Sequence, residues 1–362
     1  MGKAGDSMAH KIAIIGLHDL YRMQFLYKYT DILDKHGIEY DVIWWDRKGD
    51  PKLHNKRFNG NEIVFYEEMR SNSIPKYQKI PSYLRAIKRT RQTIKAGGYD
   101  RFILLTTQTV LPLFLSTGRI RNGAYVFDYR DVTFEGNGIA RKLIHAAIRK
   151  SKFTAISSMG FVTPLGMESN LIMSHNESQF ACTPVEKKPS DVIRVSFWGG
   201  VRQNGYVKKL CDLFGNQAKF AVSFYGEGRI EELRQYCADK GYSNIVFTGR
   251  YVPEQIPEFA ANTDVLLNMY ENDSVQRYAL TVKLYDGIKF GLPMLLTKDS
   301  YMASLMESNP NCLAIDPQST DIAEIEEWYR GLDLHDRIYQ QEIEQILADD
   351  KVFEEKLLDF VL

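Results

Sequence analysis

The chain contains 362 residues, more than one hydrophobic core usually serves, so two domains are expected. Hydrophobic residues at 44% and charged residues at 25% exclude disordered, collagen-like and coiled-coil classes. Lys plus Arg and Asp plus Glu balance at 46 each, so no overall field recommends nucleic acid, and no nucleic-acid partner is expected.

Met1 to His10 is polar and lacks the apolar stretch of a signal peptide, which points to a cytoplasmic protein. Lys11-Ile-Ala-Ile-Ile-Gly16 reads as a buried strand ending in a glycine turn. Met23, Leu26, Tyr27, Thr30 and Leu33 then fall on one face at helical spacing, and Gly37 is placed to end that helix in the left-handed conformation. Asp41 to Trp45 reads as the next strand, followed by candidates at Ile63 to Tyr66, Phe102 to Thr106, Ala124 to Asp128, Phe153 to Ser157 and Leu171 to Ser174. Helical stretches separate most of them, which predicts a parallel sheet covered on both faces. The most apolar segment, Phe102 to Leu115, is interrupted by Thr106, Thr107, Gln108 and Thr109 and falls short of the ~20 residues that cross a bilayer.

Around Thr183 to Ser190 the alternation stops, and Pro184 and Pro189 with charged neighbours predict an interdomain linker. A second alternation follows, with strands expected at Val192 to Trp198, Ala221 to Tyr225, Ile245 to Thr248, Val265 to Asn268, Met294 to Thr297 and Cys312 to Ile315, and helices such as Glu231 to Lys240 and Val282 to Phe290. The acidic stretch Asp321 to Leu362 carries only helical signals. The expected domains are therefore 10–185 and 190–335, both Rossmann-like α/β units with parallel sheets facing an interdomain cleft, and a helical tail, 336–362, packing back toward the first. Cys182, Cys211, Cys237 and Cys312 have no metal-binding spacing and read as reduced thiols, so neither a metal site nor a disulfide is expected.

The densest candidate site is Thr281-Val-Lys-Leu-Tyr-Asp-Gly-Ile-Lys-Phe-Gly291. Thr281 suits an N-cap and Gly291 a left-handed stop. The free N–H groups near Val282 and Lys283, with the Lys283 charge, would hold a diphosphate, and Asp286 lies on the same face as Val282, within reach of a ribose diol. The same pattern also describes an ordinary capped amphipathic helix.

This segment resembles the donor-binding helix of the retaining glycosyltransferases of family 4, which have the GT-B fold. Tyr225-Gly-Glu-Gly228 is similar to the family's glycine turn beside the nucleotide, and Val246 to Pro253 to its base-holding loop. Phe197-Trp-Gly-Gly-Val-Arg202 is similar to its first nucleotide-domain strand and turn. The resemblance spans Val192 to about Cys312 in order and spacing. It implies donor contacts at Arg202, Gly226, Gly228, Arg250, Tyr251, Thr281, Val282, Lys283 and Asp286. Two departures stand out. The family's paired glutamates correspond to Tyr278 and Asp286, and its Arg and Lys pair on the first turn to Gly200 and Asn204. Asp273 or Glu271 would replace the missing acid from the preceding loop, or form a solvated acidic loop.

In the first domain, Gly16 and His18 follow the first strand, where the family's glycine-rich loop faces donor and acceptor. His18 would serve as an acid or base or remain a turn histidine. Phe127-Asp-Tyr-Arg-Asp131 reads as a polar site or as a self-satisfied ion-pair cluster, which makes Arg130 and Asp131 catalytic candidates and Asp128 an acceptor-binding one. Ser158 is placed to cap a strand-to-helix junction. The resemblance implies a metal-independent transferase that needs no cofactor. Its substrates would be a nucleotide sugar, UDP-sugar favoured, and a glycan or lipid-linked acceptor, with the anomeric configuration retained, as in cell-surface or capsular polysaccharide assembly. A nucleotide-sugar epimerase and a non-catalytic partner subunit of the same fold are the alternatives. Between Lys76 and Lys95, Lys76, Lys79, Arg85, Lys88, Arg89, Arg91 and Lys95 interleave with apolar residues and no acid, which describes either a helix lying on the inner, anionic face of the cytoplasmic membrane or a solvated helix face. Arg141, Lys142, Arg149, Lys150 and Lys152 would extend that surface.

Overall fold

The computed structural model describes residues 10–49, 56–67, 76–177, 190–333 and 339–362. Residues 183–189 of the expected linker, and Cys182, lie outside the described residues. The chain divides into two compact units, Met1–His175 with Ala348–Leu362, and Asn176–Leu347.

The first unit is built on β1 (Ile12–Gly16), β2 (Tyr40–Asp46), β3 (Asn61–Tyr66), β4 (Arg101–Leu105), β5 (Tyr125–Tyr129), β6 (Thr154–Ile156) and β7 (Leu171–Met173). They pair in the order β3-β2-β1-β4-β5-β6-β7, every pair parallel. All residues of β1 and β5 are buried, as both faces of a helix-covered parallel sheet require, which is why β1 reads as an unbroken apolar run and β5 as one broken only by Asp128. The helix Leu26–Lys35 buries its predicted face, and Gly37 beyond it has φ 64°. From the terminal helix, Phe353, Leu357, Phe360 and Val361 enter the same core as Leu26, Tyr29 and Val42.

The second unit repeats the winding with β8 (Ile193–Trp198), β9 (Phe220–Tyr225), β10 (Ile245–Gly249), β11 (Val265–Asn268), β12 (Met294–Thr297) and β13 (Cys312–Ile315). Their order is β10-β9-β8-β11-β12-β13, again all parallel. Cys211 and Cys237, distant in sequence, enter one core here, and both are free and buried. Among the described residues no helix is long and apolar enough to cross a membrane.

In each sheet the strand order reverses once, between β1 and β4 and between β8 and β11. In sheets of this kind ligands bind outside the carboxyl ends of the strands at that reversal, where neighbouring loops diverge to opposite faces. A recess of about 800 Å³ in the first unit lies at the other end, against the starts of β1, β2 and β3, and is lined by His10, Glu39, Asp41 and Asn61. It therefore has the wrong position for the site this topology builds.

Candidate functional site

Beyond β8 and β9 two glycine turns touch. Gly199 has φ 133° and Gly226 φ 151°, values that side chains rarely adopt. A Cβ on Gly226 would lie 1.7 Å from the Gly199 carbonyl oxygen, and one on Gly228 1.9 Å from that of Val201. The Gly199 and Val201 N–H groups donate to the Tyr225 and Glu227 carbonyls, both at 2.9 Å. Gly226 and Gly228 thus have a structural duty: they clamp the 199–202 turn at the reversal point.

Into this turn reaches Lys283. The helix Val282–Phe290 starts at Thr281, whose hydroxyl accepts from the Leu284 N–H and donates to Asn268 at 2.7 Å, so the cap also ties the helix to the end of β11. One residue into the helix, the Lys283 ammonium lies 4.0 Å from the centroid of the Phe197 ring and 4.5 Å from that of Tyr270, and donates to the Tyr270 hydroxyl. A Cβ on Gly199 would stand 3.2 Å from it, so the missing side chain makes room for the cation. Burial lowers the Lys283 pKa to about 7, with Arg202 adding to the shift and Asp286 opposing it.

Arg202 is exposed and makes no ion pair among the described residues, while its charge is felt by both Lys283 and Tyr270. Val282, 39% exposed, presents the first turn of the helix to solvent. Tyr251 packs edge-on against Phe259, which stacks on Tyr225 with centroids 3.9 Å apart, and burial raises the Tyr251 hydroxyl to about 12, Asp286 and Tyr270 contributing. Arg250 beside it is exposed. Arg202, Tyr251, Tyr270 and Lys283 therefore share one place at the β8/β11 reversal.

Asp286 does not present itself to a ligand as its helical position suggested. Its side chain is buried, and Oδ2 accepts the Trp198 indole N–H at 2.9 Å. Asp273 is likewise engaged: Oδ1 accepts from the Val275 and Gln276 N–H groups at 2.8 and 2.7 Å, forming the turn of its own loop. Glu271 is exposed.

In the first unit the Asp128 and Arg130 expectation needs correction. Asp128 and Arg130 are buried, and the guanidinium donates twice to the carboxylate, Nε to Oδ1 at 2.5 Å and Nη2 to Oδ2 at 2.7 Å. The Tyr29 hydroxyl donates to Asp128, Arg130 donates to Ser174 at 2.9 and 3.0 Å, and the guanidinium lies over Phe25. Four of the five guanidinium N–H groups are engaged within the fold, which fits the ion-pair cluster of the two readings and holds β5 to the chain beyond β7. Asp131 alone faces outward. Desolvation beside the protein raises its carboxyl above the usual range, with Arg130 opposing and Asp128 and Glu135 reinforcing. Gly16 has a packing role. It is buried, and a Cβ there would lie 2.2 Å from the Met23 sulfur, so its small size serves packing. His18 stays at the strand end, but burial, aided by Arg47 and Arg22, lowers its pKa to about 3. That shift favours the neutral ring. Ser158 caps its turn, accepting from the Gly160 N–H at 3.2 Å.

No family model matches the chain, and no curated protein matches it. Solved structures do. The apo form of the lipopolysaccharide outer core galactosyltransferase WaaB is 13% identical, with a TM-score of 0.61 over 97% of this chain and 99% of that one. A mutant of S. aureus TarM in complex with fondaparinux, α-GlcNAc-glycerol and UDP is 9% identical, with a TM-score of 0.66 over 98% and 100%. The UDP-GlcNAc 2-epimerase of Neisseria meningitidis bound to UDP-GlcNAc is 10% identical, with a TM-score of 0.59 over 96% and 100%. The chain has the GT-B fold.

Within this GT-B chain, sequence reasoning passed over several residues that the structure brings to the strand ends. Tyr270 carries no local signal and matters only because Lys283 meets it. Arg47, directly after β2, stacks on Trp45 at 4.5 Å, and Thr106 and Thr107 follow β4. Their signal was the polar run Thr106 to Thr109 directly after a buried strand, a place where such a run marks a strand-to-helix junction at the ligand end of the sheet.

The basic segment forms the helix Ile80–Gly97, while the side chains of Lys76 and Tyr77 lie outside the described residues. Arg85 is paired with Glu67 at 2.6 Å, and Arg89 donates to the Tyr66 carbonyl. Ile80, Leu84, Lys88, Arg91 and Lys95 are exposed at helical spacing on one face.

Proposed function

We propose that this protein is a glycosyltransferase that moves a sugar from a nucleotide-sugar donor, a UDP-sugar in the first instance, to a glycan or lipid-linked saccharide with retention of configuration and without a metal. One observation carries the reading. The Lys283 ammonium is delivered to the Gly199 turn at the reversal of the second sheet, beside the exposed Arg202 and the start of a capped helix. The turn itself lacks the Arg and Lys at positions 200 and 204 that the family resemblance would supply. Lys283 and Arg202 replace that charge from other positions. UDP in the TarM complex and UDP-GlcNAc in the epimerase complex support a nucleotide ligand for this fold.

In the reaction the bond from the anomeric carbon to the diphosphate oxygen breaks as the acceptor oxygen bonds to the same face, and the acceptor proton passes to the departing diphosphate. Lys283, Arg202 and the N–H groups at Val282 and Lys283 stabilise the charge that grows on that diphosphate, and removing one such preorganised donor typically lowers kcat about 10²–10³-fold. Tyr251 covers the base-side loop. Asp286 acts through Trp198, fixing the turn rather than touching ribose. Asp131, outward-facing with a raised carboxyl, orients the acceptor or the transferred sugar. The exposed face of Ile80–Gly97 rests on an anionic membrane and brings a lipid-linked acceptor of cell-surface or capsular polysaccharide assembly within reach.

A second reading follows from the likeness to the epimerase. Nucleotide release from a UDP-sugar panel, measured with and without saccharide acceptors, separates them. Release that requires acceptor supports the transferase; conversion of the donor alone supports the epimerase. Nucleotide binding without turnover in any combination would point to a non-catalytic subunit, in line with Tyr278 at the acidic position.

A further inference from the structure

Buried polar side-chain atoms nearly always have partners. Among the described residues, His18 Nδ1, Arg47 Nε, Thr106 Oγ1, Thr107 Oγ1 and Asn311 Oδ1 do not. All but Asn311 belong to one place, just past the carboxyl ends of the adjacent strands β2, β1 and β4, at the reversal point of the first sheet. Contacts join them. Arg47 donates through Nη2 to the Leu17 carbonyl, the Leu17 N–H donates to Thr109 at 3.0 Å, and Gln108 interacts with the His18 ring. Tyr83 donates to the Gln108 carbonyl and packs on Trp45, the same ring over which Arg47 lies.

The backbone here is strained. Thr106 has φ 72° and ψ 153°, a region that glycine occupies almost alone and that costs about 1–3 kcal/mol for other residues. It stands at the N-cap of the ten-residue helix Thr107–Ser116, yet its hydroxyl makes no capping bond. The Thr107 hydroxyl is also unpaired although that residue is only 2% exposed. A helix start left open, with two hydroxyls and a guanidinium nitrogen unsatisfied around it, is a set of donors that lacks its acceptor. Charge selects the acceptor's sign. Arg47 and Arg22 both act on His18, Asp19 accepts the Arg47 backbone N–H at 2.8 Å, and Asp46 accepts the Lys48 and Gly49 N–H groups.

We propose that this cluster is an oxyanion site, shaped for a phosphate or carboxylate group of the ligand that the first unit binds. Arg47 supplies the charge, and Thr106 and Thr107 supply hydroxyl donors. Only the source of the anion rests on the transferase reading: it is either an anionic acceptor or the donor diphosphate.

The test is calorimetric titration of the full chain with glycerol 3-phosphate and inorganic phosphate, in the wild type and in Arg47→Gln, Thr107→Val and Lys283→Met. Saturable binding that survives Lys283→Met and weakens tenfold or more in Arg47→Gln, with a smaller loss in Thr107→Val, is expected. Circular dichroism and thermal midpoints establish that each variant is folded, and Thr107→Val serves if Arg47→Gln is not. Repeating the titration with saturating UDP-sugar identifies the source, since competition assigns the site to the donor diphosphate and simultaneous binding to an anionic acceptor. Phosphate binding that is absent, or indifferent to both Arg47→Gln and Thr107→Val, overturns the site even where UDP-sugar binds. UDP-sugar failing to bind while Arg47-dependent phosphate binding persists overturns the transferase reading instead.

Discussion

The Trp198 indole N–H donates to the buried Asp286 carboxylate at 2.9 Å, joining the last residue of β8 to the helix that carries Lys283. A buried carboxylate deprived of a donor is costly, and removing the whole pair is less so, because the desolvation penalty falls on the group left behind. Trp198→Phe and Asp286→Ala should each destabilise the protein by about 1–3 kcal/mol, and the double variant by less than their sum. Chemical denaturation of the four proteins checks this. Strict additivity would show that the bond couples nothing.

Gly226→Ala should cost about 3 kcal/mol or more, since its Cβ meets the Gly199 carbonyl at 1.7 Å and its φ is 151°. Gly205→Ala, in the helix Asn204–Phe214 with open space around its Cβ position, should be neutral or stabilising. Thermal midpoints of the pair separate a required close approach from general intolerance of alanine.

Lys283 gives the donor site a pH dependence of defined sign. With its pKa near 7 in the free protein, the ammonium is increasingly deprotonated above that pH, and binding an anionic diphosphate draws a proton back. A UDP-sugar has no titrating phosphate near neutrality. Its affinity should therefore fall as pH rises from 6 to 8.5, with proton uptake detectable by calorimetry in buffers of different ionisation enthalpy. Lys283→Arg should abolish the pH dependence, because guanidinium stays charged.

The fold was readable because parallel strands covered on both faces appear as continuous apolar runs, and β11, β12 and β13 begin and end where the pattern places them. The capped helix after Thr281 was readable from its end residues. Side-chain partnerships were not. Trp198 and Asp286 are 88 positions apart, Arg130 and Ser174 44, and only the tertiary fold decides that these pairs close on each other. Thr106 was read as an interruption of an apolar segment, because a positive φ at a non-glycine residue leaves no trace in composition.

The exposed face of Ile80–Gly97 predicts retention on vesicles with anionic lipid at low salt and release as salt is raised. Leu84→Ser combined with Lys88→Glu and Arg91→Glu should lower the bound fraction at least tenfold, whereas Arg85→Gln, already paired with Glu67, should change it little. Equal binding by all these proteins in flotation assays would remove the helix from the account.

The measurement that bears most directly on the donor site is the thermal midpoint against UDP- and GDP-sugars in EDTA, for the wild type and Lys283→Met. Ligand binding to the folded state must raise the midpoint. The expected result is a rise with a UDP-sugar that survives EDTA and is lost in Lys283→Met, while that variant keeps its unliganded fold. An equal rise in both proteins, or none with any nucleotide sugar, would contradict it.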